Sequence, residues 1–238
     1  MGATTGPVWV TTGAGTSNRV TFSVTQAPEG AAWYLAEGCT DFGFETFINI
    51  ENPNGVPVTA SVQYMTPEGP FPKRDVSLPA YSQTTLNPRE VIGAKDFSTQ
   101  VICTSGAQIA VDRRMVWTGP GAASQEGHSS VGVVAPANKW YLAEGSSKWG
   151  FECWLLAQNP NKLAANLTVT YMIEGEGPVT KTRSVPAGGR QSWSMADDIG
   201  AKDASVTIES DSAQVPIIVE RAMYRNNRRE GHGSVGTP

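Results

Sequence analysis

The feature that most constrains this chain is an internal repeat. Trp33-Tyr34-Leu35-Ala36-Glu37-Gly38 recurs as Trp140-Tyr141-Leu142-Ala143-Glu144-Gly145, an offset of 107 residues. The same offset carries Gly43-Phe44-Glu45 onto Gly150-Phe151-Glu152, Asn52-Pro53-Asn54 onto Asn159-Pro160-Asn161, and Ile92-Gly93-Ala94-Lys95-Asp96 onto Ile199-Gly200-Ala201-Lys202-Asp203. From Trp33 to Cys103, 24 of 71 positions match their counterparts without a gap. Ordinary amino-acid frequencies give about 5. A period of this kind decides the fold before any local signal does. Beyond Cys103 the register drifts through small insertions, in Gly/Ser/Asn-rich stretches where surface loops tolerate them. Arg113 then pairs with Arg221, Met115 with Met223, and Glu126-Gly127-His128 with Glu230-Gly231-His232. The expected organisation is one module over 33–136 and a second over 137–238. Residues 1–32 are not a third copy. Val8-Trp9 and the Gly-rich turn after it echo Val116-Trp117, so this segment reads as the last hairpin of an upstream repeat.

Period-two alternation dominates each copy. Phe44, Thr46, Ile48 and Ile50 share one face, as do Phe151, Cys153, Leu155 and Ala157. Val56 to Tyr64 and Leu163 to Tyr171 alternate likewise. Such runs are half-buried strands. Further strands are expected near 74–79, 82–87, 97–103, 109–117 and 128–134, separated by turns such as Asn52-Pro53-Asn54-Gly55. Seven or eight strands in about 105 residues predict an all-β fold, two tandem immunoglobulin-like antiparallel β-sandwiches. One short crossover helix per copy follows Asn87-Pro88 and Ser194, stopped by Gly93 and Gly200.

The chain carries a net charge of -4 with 17% charged residues, which excludes the basic footprint of a nucleic-acid or anionic-lipid binder. Its longest apolar stretches are far shorter than the roughly 18 residues of a membrane span, so no membrane insertion is expected. Residues 1–20 contain no apolar signal segment, and the chain reads as a mature form or a fragment. Of three cysteines, Cys39 and Cys103 belong to the first copy and align with Ser146 and Ser210. Joint presence and joint absence predict a Cys39–Cys103 disulfide, and with it an oxidising, extracellular compartment. Cys153 aligns with Thr46 on an inward face and reads as a buried free thiol. No Cys/His spacing suggests zinc, and neither a metal nor a cofactor is expected.

The Trp-Tyr-Leu-Ala-Glu-Gly motif, with its following Phe-Glu and Asn-Pro-Asn, resembles a repeat found in tandem in bacterial secreted and surface-anchored proteins. There the hexapeptide often reads Trp-Tyr-Phe-Ala-Glu-Gly. The resemblance covers about residues 33–238. It implies a β-sandwich module without an assigned activity, in an extracellular array or stalk.

Candidate sites are few. Glu37 and Glu144 follow an aromatic pair, but one carboxylate per repeat is not a catalytic pair, and Arg113 and Arg221 are the expected partners. His128 and His232 lack the further donors a metal site needs. No nucleophile elbow is present. Arg225, Arg228 and Arg229 read as a solvated loop. The aromatics Trp33, Trp140, Trp149, Trp154 and Trp193 are candidate ligand or interface residues. Trp154, on the face opposite Leu155, is the main candidate, and packing between repeats is its expected role. The resulting expectation is a non-enzymatic structural or stalk module. Its partners are neighbouring repeats or other copies, and unpaired N-terminal strand edges would permit fibres. The alternative is a carbohydrate-binding module that takes cell-surface glycans on exposed tryptophans.

Overall fold

A computed structural model describes residues 6–22 and 32–238. The N-terminal segment forms a hairpin. Strand β1 (Gly6–Val8) pairs antiparallel with β4 (Val20–Phe22), and β2 (Thr11–Thr12) pairs with β3 (Gly15–Thr16). The rest of the 1–32 segment, residues 1–5 and 23–31, lies outside the described residues.

The first copy contributes β5 (Ala32–Leu35), β6 (Phe44–Asn52), β7 (Val58–Thr66), β8 (Gly69–Pro70), β9 (Arg74–Leu78), β10 (Ser82–Leu86), α1 (Arg89–Ile92), β11 (Ser98–Cys103), β12 (Ala110–Trp117) and β13 (Glu126–Val131). One sheet runs β10-β6-β12-β13. The other runs β5-β11-β7, with β8 and β9 both on β7. The second copy contributes β14 (Lys139–Leu142), β15 (Glu152–Asn159), β16 (Ala165–Ile173), β17 (Gly177–Val185), β18 (Gly189–Ser194), α2 (Met195–Ile199), β19 (Ala204–Ser210), β20 (Ile218–Arg225) and β21 (Glu230–Val235). Its sheets run β18-β15-β20-β21 and β14-β19-β16-β17. The fold is thus all-β, with antiparallel pairing and a short helix between the two sheets of each copy. The first strand of each copy pairs with the sixth main strand, not the second. This connectivity departs from the immunoglobulin partition, in which the first two strands share a sheet.

The two copies pair in the same register. Arg113 faces Ile48 across the ladder as Arg221 faces Leu155, and Thr99 faces Leu35 as Val206 faces Leu142. Local devices repeat too. The Asn52 side chain ties the Val56, Leu78 and Pro79 carbonyls, and Asn159 ties Leu163, Val185 and Pro186. One difference has a plain cause. β17 is continuous over nine residues, whereas its counterpart splits into β8 and β9 around Pro72, which has no N–H for a ladder bond.

Alternation buries one face of each sheet. Ile48, Ile50, Val62, Leu78, Val101 and Val111 fill the first core. Leu155, Ala157, Leu167, Val169, Val206 and Ile208 fill the second. A third cluster joins Phe44, Met115 and Trp117 of the first copy to Leu156, Ala222 and Tyr224 of the second.

The expected Cys39–Cys103 disulfide is not formed, and all three cysteines are free and buried. Cys39 bridges to Asp96, just before β11 begins, while Cys103 ends β11 and pairs with Ala60. At about 3.3 Å per residue the two lie roughly 20 Å apart along the strand. A disulfide needs Cα atoms within about 7 Å. Parity along β11 puts the Cys103 side chain inside but says nothing of where along the strand Cys39 lies. Burial pushes the Cys39 thiol well above its ordinary range and Cys153 up to about 11, so both stay protonated.

Candidate functional site

A dense cluster of polar contacts lies where the two copies meet. Sheet β18-β15-β20-β21 turns its outward face onto the first copy. On that face Trp154, Leu156 and Gln158 of β15 sit beside Ala222, Glu220 and Ile218 of β20 across the ladder. β20 is therefore buried on both faces.

At the centre stands Arg113. Its Nη1 donates to Glu220 Oε2 at 2.7 Å and to the Glu37 carbonyl at 3.0 Å, and its Nη2 donates to Glu37 Oε2 at 2.6 Å. Glu220 Oε1 accepts from the Ala36 N–H at 2.6 Å. The Tyr224 hydroxyl donates to Glu37 Oε1 at 3.3 Å. Gln158 Nε2 donates to the Thr99 carbonyl at 3.1 Å. Burial opposes the charge on Arg113, but Glu220 and Glu37 outweigh it and raise its pKa further. Burial pushes Glu37 above the usual carboxylate range against the pull of Arg113. One guanidinium shared by two carboxylates does not fully compensate both.

His128 packs edge-on against Trp117, with ring centroids 5.5 Å apart. Burial first, and then Arg113, lower its pKa to about 4. It is therefore neutral at pH 7. Its 3.9 Å approach to Glu37 is too long for a hydrogen bond. Two glycines admit these side chains. A Cβ on Gly233 would sit 2.9 Å from His128 Cε1 and 3.1 Å from Glu37 Oε2, and one on Gly231 would sit 2.9 Å from the Trp117 ring. The Trp117 indole N–H donates to the Arg228 carbonyl at 2.7 Å, which locks the two hairpin tips together.

The structure distributes the candidate residues as follows. Glu37 meets Arg113 and Glu144 meets Arg221, the latter pair at 3.3 Å. Trp140 is buried, with its indole N–H donating to the Ile217 carbonyl, and Trp193 is buried in the second core. Trp33 packs half-buried on the first core. Trp154 lies half-buried in the joint. Trp149 is exposed, with Lys148 Nζ 5.5 Å from its ring centroid. Arg228 does not extend into a solvated loop, because it pairs with Glu152 at 3.0 Å.

Glu220 and Gly233 escaped the sequence reading, as did Arg190, a buried cation on β18 that faces Asp96 at 3.5 Å. A signal for them exists in the outward positions of the two copies. Leu156 stands where the first copy has Asn49, Ala222 where it has Arg114, and Gly233 where it has Ser129. Those are losses of polarity and bulk on a face that alternation assigns to water.

Among the described residues no cluster of His, Cys, Asp and Glu is suited to a metal ion, and no helix is long and apolar enough to cross a membrane. No family model and no curated protein matches this chain. Two solved structures show remote likeness. Thermotoga maritima 1070 is 18% identical, with 43% of this chain and 94% of that chain covered, at a TM-score of 0.38. Streptomyces avermitilis α-L-rhamnosidase, complexed with L-rhamnose, is 9% identical, with 90% of this chain and 28% of that chain covered, at a TM-score of 0.24. Neither likeness is close enough to carry a functional inference.

Proposed function

We propose that this chain is a non-enzymatic structural module whose two repeats hold a fixed mutual orientation and serve as a spacer or assembly element outside the cell. One observation carries the reading. A buried ion cluster, Glu37–Arg113–Glu220, lies between the repeats, not in a solvent-open cleft. A buried ion cluster adds little net stability over apolar packing, but it admits one register, since any other leaves charges unpaired. Placement outside the cell rests on the resemblance of the Trp-Tyr-Leu-Ala-Glu-Gly repeats alone, because free thiols remove the disulfide argument.

Two measurements test the reading. Light scattering and electron microscopy compare the intact chain with one lacking residues 1–30. End-to-end assemblies from the first and monomers from the second support assembly, and identical monomers refute it. A glycan array probes the alternative. A blank array fits a spacer, whereas a hit lost on Trp149→Ser replaces the reading with adhesion.

A further inference from the structure

The second repeat carries the same acceptor surface that the first repeat uses to hold it, and there it is bare. Several residues that docking covers in the first copy have uncovered counterparts in the second. Ala36 and Glu37 are buried, while Ala143 and Glu144 are exposed. The Glu37 side chain is 4% exposed and that of Glu144 68%. Met65 is 2% exposed and Met172 41%. His128 is half-buried beside Trp117, and His232 is exposed. Phe42 borders the crevice at the joint together with Trp154 and Arg190. Its counterpart Trp149 is as open as Phe42 itself, 69% against 73% exposed, so docking does not distinguish this pair, and both hold a left-handed φ near 50°. The ligand-binding core of the surface is kept. Arg221 still reaches the Glu144 carbonyl and carboxylate, as Arg113 reaches those of Glu37.

We infer that the Ala143–Glu144–Arg221 surface of the second repeat is a docking site for the sheet face of a further repeat, one that presents a carboxylate with aromatic side chains farther along the same face, as this chain presents Glu220 with Trp154 and Tyr224. The chemistry of the filled site selects this occupant. A carboxylate at the position of Glu220 meets both the Arg221 guanidinium and the Ala143 N–H, a ring at the position of Tyr224 covers Phe151 as Tyr224 covers Phe44, and an amide at the position of Gln158 meets Met172 as Gln158 meets Met65. A second copy of this chain does not supply such a face. Its second repeat's face is already engaged, and its first repeat offers Arg114 and Asn49 where Ala222 and Leu156 are needed. The inference rests on the assembly reading above and names its site and partner.

The test is a three-repeat chain, made by appending a second copy of residues 135–238 after Pro238. This reproduces the spacing that leads from the first repeat into the second. Hydrogen exchange is followed at Ala36 and at Ala143. The expected result is slowing at Ala143 by at least ~100-fold relative to the two-repeat chain, down to the rate at Ala36. Arg221→Met should abolish that slowing in the long chain and leave the Ala36 rate within about 3-fold. Protection at Ala36 without protection at Ala143 overturns this inference and leaves the assembly reading standing. Protection at neither overturns both. A concentration-dependent dimer of the two-repeat chain that Arg221→Met abolishes would make a second copy the occupant and would also overturn the assignment.

Discussion

Arg113→Met and Arg221→Met remove the same residue from equivalent positions, yet the structure predicts unequal losses. Arg113 is fully buried and is shared by two carboxylates whose side chains are 4% and 1% exposed. Methionine fills much of the same volume but leaves both acids buried without their hydrogen-bonded cation, and Arg190 is the charge that remains near them. At least one must take up a proton or drag water inward. Breaking a buried ion cluster in this way costs about 3–5 kcal/mol. Arg221 faces a single carboxylate that turns freely into solvent. Its loss should cost no more than about 1.5 kcal/mol, the upper end for an ordinary hydrogen bond, because the partner carboxylate stays solvated. Urea unfolding followed by tryptophan fluorescence reads both. With a slope of about 2 kcal/mol per molar, Arg113→Met should lower the midpoint by about 2 M and Arg221→Met by less than about 0.8 M. Equal losses, or a loss below about 1 kcal/mol for Arg113→Met, would refute the claim that docking makes the first cluster different.

Three further outcomes follow from the same geometry. His128 titrates near 4 in the fold, against 6.5 for an ordinary histidine. The stability this lends is present above pH 6.5 and is lost as pH falls toward 4, a swing of at most about 3 kcal/mol. His128→Phe should flatten the dependence of the urea midpoint across that window, and an unchanged profile would contradict the burial of a neutral ring. Gly233→Leu drives a side chain into His128 and Glu37 and should destabilise by about 1–3 kcal/mol or more, while Ser129→Leu at the equivalent exposed position should stay within about 0.5 kcal/mol by thermal unfolding. Thiol titration in denaturant should find all three cysteines free, and reductant should leave Tm unchanged. Fewer than three thiols would reinstate a disulfide.

Much of this architecture is legible in the residues. Alternation at Phe44–Asn52 and Ala165–Ile173 assigns the inward faces correctly, and the 107-residue offset predicts the shared register, because strand period and turn chemistry are local properties. The Glu–Arg pairing is legible for a similar reason, since each pair recurs with the repeat. What escapes is position along a strand and coverage of outward faces. Cys103 points inward at the end of β11, but Cys39 lies on no strand and sits beside Asp96, before the other end of β11. β20 interleaves Glu220 and Arg221 with apolar residues and shows no clean alternation, because both of its faces are buried and one of them by the other repeat. A sequence read one strand at a time gives outward positions to water. Only a comparison of the two copies, Leu156 against Asn49 and Ala222 against Arg114, marks the face that docking covers.

The central claim is that the two repeats form one rigid body with the Glu220 carboxylate seated on Arg113. Residual dipolar couplings of backbone amides, measured separately for residues 33–131 and 139–235 in the intact chain, test it directly. The account predicts a single alignment tensor that fits both sets in the orientation described above. Two tensors of different magnitude or direction would mean that the repeats tumble independently, and the joint described here would not exist in solution.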